Sequence, residues 1–209
     1  LIDARVGQSF VAAAGNEGDY GDVHLAYTVS PTDTNFTMFS PISGNVFLLI
    51  AGDTSDLKDV EFSIGADKMS PIHEFRGDIG FQKVSDLTTD AVVSIPLIVN
   101  TNQIGLVQYY LEIINGNYSL QYFVTPDSTA YNWRLMAKGS GSFDLWNYNS
   151  ANSTYTPIVG EPLPSLATMP DSANYKFPDA NKTIAAGFQN LDNVIAVGSY
   201  VNRTKFTSC

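Results

Sequence analysis

The residue best placed to do chemistry is Asn16. It follows the run Ser9-Phe10-Val11-Ala12-Ala13-Ala14-Gly15. An unbroken apolar run of this length suits a strand covered on both faces, as in a parallel α/β sheet. Gly15 lets the chain break from the strand, and Gly18 lets it turn again. Asn16 then sits just past the strand's carboxyl end, where open α/β sheets place ligands and chemistry. Its amide can donate a hydrogen bond to an oxygen that becomes negative during acyl transfer. Other titratable groups carry less. His24 follows Glu17, Asp19 and Asp22, but one imidazole with loop carboxylates lacks the spacing of a metal site, so a solvated acidic loop is expected and no metal. His73-Glu74 falls in a loop and is expected at the surface. Gly139-Ser140-Gly141 is not Gly-x-Ser-x-Gly and lies between two strands, so it reads as a hairpin connection.

The elements around these residues are mostly strands. Leu1 to Gly7 reads as the end of a helix, and Ser9 to Ala14 as the buried strand. Glu17 to Asp22 is a polar, glycine-rich turn and a first boundary. Beyond it, Val23 to Val29 alternates, Asn35 to Phe39 follows a Pro-Thr-Asp turn, Val46 to Ile50 is wholly apolar, and Val60 to Ile64 alternates again. Gly80 to Val84 suggests a short strand. Ala91 to Val99 contains Pro96, which suits an edge. Gln103 to Ile114 and Tyr118 to Val124 flank Asn115-Gly116, a strong hairpin turn. Asn132 to Lys138 and Ser142 to Tyr148 read as a further pair. Thr156 to Pro178, with Pro157, Pro162, Pro164, Pro170 and Pro178, reads as an ordered connector crossing a surface. Asp192 to Tyr200 is a second buried strand of parallel type. The pattern is mainly β, an antiparallel sandwich.

Ala13-Ala14-Gly15-Asn16-Glu17-Gly18 closely resembles the oxyanion-asparagine motif of the subtilisin-like serine proteases. Asn193-Val194-Ile195-Ala196-Val197-Gly198-Ser199-Tyr200, followed by Arg203-Thr204-Lys205-Phe206-Thr207-Ser208, resembles the strand and turn that come next in those enzymes. Both matches stand in family order and cover only the two ends of the chain. Ordinary subtilases join these strands by a short loop. The long intervening segment is similar to the jelly-roll insert that some bacterial members carry, the clostridial germination proteases among them; Gly141-Ser142-Phe143-Asp144-Leu145-Trp146 loosely resembles a segment of such members. The resemblance implies a jelly-roll insert (22–180) flanked by two parallel strands of a subtilase-type α/β sheet, carried on core pieces 1–21 and 181–209. It implies that Ser9–Ala14 and Val194–Gly198 pair as parallel neighbours, and that Asn16 is the oxyanion donor. The family's Asp, His and Ser motifs do not occur. Asp53-Thr54-Ser55 lacks the family glycine and follows Asn16, and neither histidine has the family context. Nothing therefore supplies the nucleophile, base and orienter that acyl transfer needs.

The implied function is the non-catalytic middle piece of a bacterial subtilisin-like endopeptidase, extracellular or at the cell surface and inactive in isolation. A chain opening on Leu1-Ile2-Asp3-Ala4 without Met agrees with a piece of a longer protein. Expected partners are the remainder of the parent protease, and a protein substrate or a second copy. No cofactor is expected. Across 209 residues, 44% are hydrophobic and 15% charged, so an ordered chain with a large core is expected. The net charge of −10 argues against nucleic acid and anionic membranes as partners, and no apolar run is long enough to span a bilayer. The single cysteine, Cys209, permits no internal disulfide. Five Asn-x-Ser/Thr sequons, at Asn35, Asn117, Asn152, Asn181 and Asn202, fit chance in a chain rich in Asn and Thr. The alternative is a carbohydrate- or ligand-binding jelly-roll module, with Trp133, Trp146, Tyr109, Tyr110, Tyr118 and Tyr122 as a binding face. Such a module needs a solvent-exposed row of coplanar aromatics; a core position is the expectation for most of them.

Overall fold

The computed structural model describes residues 10–13, 23–40, 44–128, 130–149, 154–160, 162–179 and 194–197. Two compact units emerge, one formed by Leu1–Tyr20 with Lys182–Cys209 and the other by Gly21–Asn181.

In the first unit, β1 (Phe10–Ala13) pairs in parallel with β15 (Val194–Val197), in the register Phe10↔Val194 to Ala13↔Val197. Parallel neighbours need a long crossover, and here all the intervening chain supplies it. The expected parallel pairing of these two strands is thus present.

The second unit is mainly β, with two antiparallel sheets and almost no helix, an arrangement consistent with a β-sandwich. Its strands are β2 (His24–Val29), β3 (Asn35–Phe39), β4 (Val46–Asp53), β5 (Val60–Lys68), β6 (Glu74–Asp78), β7 (Gln82–Lys83), β8 (Val92–Val99), β9 (Asn102–Ile114), β10 (Asn117–Pro126), β11 (Tyr131–Gly139) and β12 (Gly141–Trp146). A minor pair, β13 (Tyr148–Asn149) and β14 (Thr154–Tyr155), follows. The six-stranded sheet runs β2-β12-β4-β10-β9-β8, and the second runs β3-β11-β5-β6, with β7 also on β5. Alternate residues of both sheets meet in one apolar cluster. Leu48, Ile50, Val107 and Leu120 come from the first sheet, and Phe62, Ile64, Trp133 and Leu135 from the second. This two-residue period is the sequence alternation made physical.

The Asn115-Gly116 turn has φ of 50° and 79°, the left-handed pair that a two-residue hairpin demands. Pro96 is on the terminal strand of its sheet, as its composition suggested. Asp127 N–H donates to the Ile104 carbonyl at 3.1 Å across the β9–β10 ladder, so even-numbered β9 residues bond β10 and odd-numbered ones bond β8. Ile95, opposite Val107, therefore bonds inward, and the nitrogen of Pro96 lies on the outer side, where no ladder bond is forfeited.

The segment from Gly139 to Gly141 is not a hairpin connection. β11 and β12 lie in different sheets, and the glycines carry the chain across the sandwich. The physical reason is crowding: a Cβ on Gly139 would collide with the Asp59 carbonyl oxygen, and one on Gly141 would stand closer still to that of Asp56. Only glycines allow such a crossing beside α1 (Thr54–Leu57).

The proline-rich connector is an ordered covering layer, as expected. Val159 N–H donates to the Met38 carbonyl at 2.8 Å, and Lys176 N–H to that of Phe36 at 2.8 Å. The Tyr175 hydroxyl donates to the Val159 carbonyl at 2.6 Å. Met169 and Tyr175 thereby close a second apolar cluster with Phe36, Met38 and Met136 on the outer face of the second sheet.

The hydroxyls of Tyr27 and Tyr122 are buried without a hydrogen-bond partner among the described residues, and burial raises both phenols well above their ordinary range. An unfolded chain gives up such protons near pH ~10 while the folded one retains them. Stability is therefore complete below about pH 10 and falls as the pH rises beyond it. In a spectrophotometric titration these two phenols are expected to ionise only together with loss of near-ultraviolet circular dichroism. Ionisation of every tyrosine in a still-folded protein would contradict this.

Candidate functional site

Asn16 lies outside the described residues, as do Glu17, Asp19 and Asp22. What the structure gives of its surroundings is the strand that leads to it: β1 ends at Ala13, beside Val197 of its parallel neighbour. The carboxyl end of a parallel strand pair is a place where backbone and side-chain donors can converge on a substrate oxygen.

Asp53 is a helix cap. Its Oδ1 accepts from Ser55 N–H at 2.7 Å and from the Ser55 hydroxyl at 2.6 Å. These two bonds, side chain first, hold its carboxyl below the ordinary range. This is the usual use of Asp at the start of a helix, and it agrees with setting Asp53 aside as a catalytic residue.

His24 departs from expectation. It is fully buried at the edge of the six-stranded sheet, not part of a solvated loop. Its Nδ1 lies 2.8 Å from Asp179 Oδ1 and its Nε2 3.0 Å from Asp144 Oδ1. Trp146 covers the ring, with centroids 5.1 Å apart. Both nitrogens face carboxylates, so neither offers a lone pair to a metal ion. Among the described residues no group of three or more His, Cys, Asp or Glu is arranged to hold one.

His73 also departs from expectation: its side chain is 7% exposed and its Nε2 bonds Asp67 Oδ1 at 2.7 Å. That carboxylate is the centre of a network that the sequence reading missed. Arg134, on β11, donates to both oxygens of Asp67 through Nε and Nη2, and through Nη1 to Asp171 at 2.6 Å. Phe36 and Phe75 sandwich the guanidinium at 4.1 and 4.6 Å from their centroids. Gly65 makes room for this stack, since a Cβ there would fall 2.9 Å from the Phe75 ring. Burial pulls the guanidinium pKa down, but Asp67 and then Asp171 outweigh it and hold it above its ordinary value. The arrangement is a bidentate, stacked ion pair, the geometry for which arginine is suited. It places an Asp–His contact in the protein; among the described residues no serine, threonine or cysteine side chain is bonded to that imidazole. The available signal was an arginine inside the otherwise apolar stretch Trp133 to Ala137, and an aspartate directly after the stretch Phe62 to Ala66.

The aromatics do not form a sugar-binding row. Trp133, Tyr109 and Tyr122 are core residues, and Tyr110, Tyr118 and Trp146 are half-buried. The aromatic side chains most exposed among the described residues, Phe75 and Phe177, belong to β6 and the connector.

Among the described residues no helix is long and apolar enough to cross a membrane. No protein-family model matches the chain, and no curated protein matches it. Among solved structures it is distantly similar to the CspB protease of Clostridium perfringens, with 15% identity and a TM-score of 0.46; the match covers 76% of this chain and spans 31% of the length of that one.

Proposed function

We propose that this chain is the non-catalytic middle piece of a bacterial subtilisin-like serine endopeptidase, acting outside the cell or at its surface. Its second unit is the inserted domain, a jelly-roll-like sandwich. Its end strands are neighbours in the host sheet, and Asn16 donates to the oxyanion during acyl transfer. The observation that carries this reading is the parallel register of Phe10–Ala13 with Val194–Val197. The two stretches that resemble family motifs are the two that pair, although a whole β domain separates them in sequence. An insertion is tolerated when its ends leave and rejoin the host at nearby points. The triad comes from the remainder of the parent, which is also the principal partner; a protein substrate or a second copy is the other class.

Two results test this. The isolated chain hydrolyses no peptide and takes no label from a fluorophosphonate probe; stoichiometric labelling of any serine would overturn the reading. In the full-length parent, Asn16→Ala lowers kcat by about 10²–10³, the loss expected when one oxyanion-hole donor is removed. A parent whose turnover is unchanged by that substitution would show that Asn16 has another role.

A further inference from the structure

We propose that His24, Asp144 and Asp179 form a proton-locked clasp that fastens the end of the β-sandwich to its beginning. A neutral imidazole carries hydrogen on one nitrogen and a lone pair on the other. Here each nitrogen meets a carboxylate oxygen, at 2.8 and 3.0 Å. A lone pair pointed at an ionised carboxylate is repulsive, so the two contacts coexist only with one proton more than a neutral ring and two carboxylates contain. That proton belongs to the three groups together. The ring is buried, so water cannot replace a lost bond, and leaving one unmade is costly.

Asp179 is held by more than the ring. Its Oδ2 accepts from Ala26 N–H at 3.0 Å, and its own N–H donates to the His24 carbonyl at 2.9 Å. The residues where the described sandwich begins and ends are thereby joined. Among the described residues, the groups that face the ring are Asp144 from β12, Asp179 from the connector and the Trp146 indole. On the same strand, Tyr27 packs against the core, and Lys176 lies over the Tyr27 ring, 5.7 Å from its centroid. Loss of the shared proton sets a lone pair against one carboxylate and drives that contact apart. The clasp closes on the acid side and opens on the alkaline side, loosening the chain where it leaves the sandwich. This inference stands on the second unit alone and does not depend on the protease reading.

The test is nuclear magnetic resonance on the whole chain. With 15N-labelled histidine at about pH 7, both His24 ring nitrogens are expected to show attached hydrogen, or one of them a hydrogen shared with a carboxyl. As the pH is raised, the Ala26 and Asp179 amide signals are expected to move together in one step. Asp144→Asn supplies an amide that can donate to a neutral ring, so the clasp then needs no extra proton and the step disappears while the folded spectrum is kept. A single protonated ring nitrogen with no shared hydrogen, while the Ala26 and Asp179 signals hold their clasped positions, would overturn the proposal. So would a step that persists unchanged in Asp144→Asn. If that variant does not fold, the ring spectrum of the unaltered chain decides.

Discussion

Replacing Asp67 with alanine is expected to lower the free energy of unfolding by about 3–5 kcal/mol, the usual cost of breaking a buried ion pair by removing one partner. The guanidinium of Arg134 is 3% exposed and Asp67 is fully buried. Without Asp67, the one carboxylate left to Arg134 among the described residues is Asp171, itself 42% exposed, and His73 loses its carboxylate as well. The charge cannot reach water without leaving the Phe36–Phe75 sandwich, and it cannot be neutralised, because arginine does not deprotonate in proteins. Urea denaturation of the single variants and of a double variant, Asp67→Leu with Arg134→Met, would measure the coupling. The double variant is expected to recover much of the loss, since an apolar replacement of similar volume removes the desolvation cost from both partners. A cost for Asp67→Ala below about 1 kcal/mol would show that water reaches the pair.

Gly141→Ala is expected to be at least as damaging. The added Cβ would overlap the Asp56 carbonyl oxygen and stand 2.8 Å from Val60 Cγ2. A Cβ has no rotamer by which to escape, so the backbone must move where β11 passes to β12. Gly139→Ala combines a similar collision with a φ of 102°, a conformation that costs a non-glycine residue about 1–3 kcal/mol by itself. Each variant should lose about 3 kcal/mol or more, since strain and overpacking add. Gly160→Ala is the control: nothing lies within 4 Å of its Cβ position, and an exposed site of this kind changes stability by within about 0.5 kcal/mol. Thermal unfolding of the three proteins side by side would separate crossing strain from a general intolerance of alanine.

Local chemistry was the part of the fold most legible in the sequence. Asn115-Gly116 announced its hairpin because few residue pairs accept two left-handed conformations, and Pro96 announced a sheet edge because it cannot donate to a ladder. The parallel partnership of the two end strands was legible only through their resemblance to a family pattern. What stayed hidden was long-range. Which sheet a strand joins depends on partners a hundred residues away, so β11 and β12 looked like a hairpin although they belong to opposite sheets. His24 looked like part of a solvated loop because Glu17, Asp19 and Asp22 precede it, and His73 looked like a surface residue because it stands in a stretch read as a loop. Their burial is set by Asp179, Asp144 and Asp67, which the tertiary fold brings to them.

The pairing of early strands with late ones has a consequence for how the chain folds. The β8–β9–β10 meander is contiguous in sequence and can close as soon as it is made. By contrast β2 pairs with β12, as in Ala26↔Asp144, and β3 pairs with β11, as in Phe36↔Met136. On a ribosome these first strands emerge long before their partners exist. They must wait unpaired, with Leu25, Phe36 and Phe39 uncovered, until β11 and β12 follow. Folding dominated by such distant contacts is slow, in the range of milliseconds to seconds for sandwich topologies. The meander is the natural nucleus, and the edges that carry His24 and Phe36 are the last to be sealed.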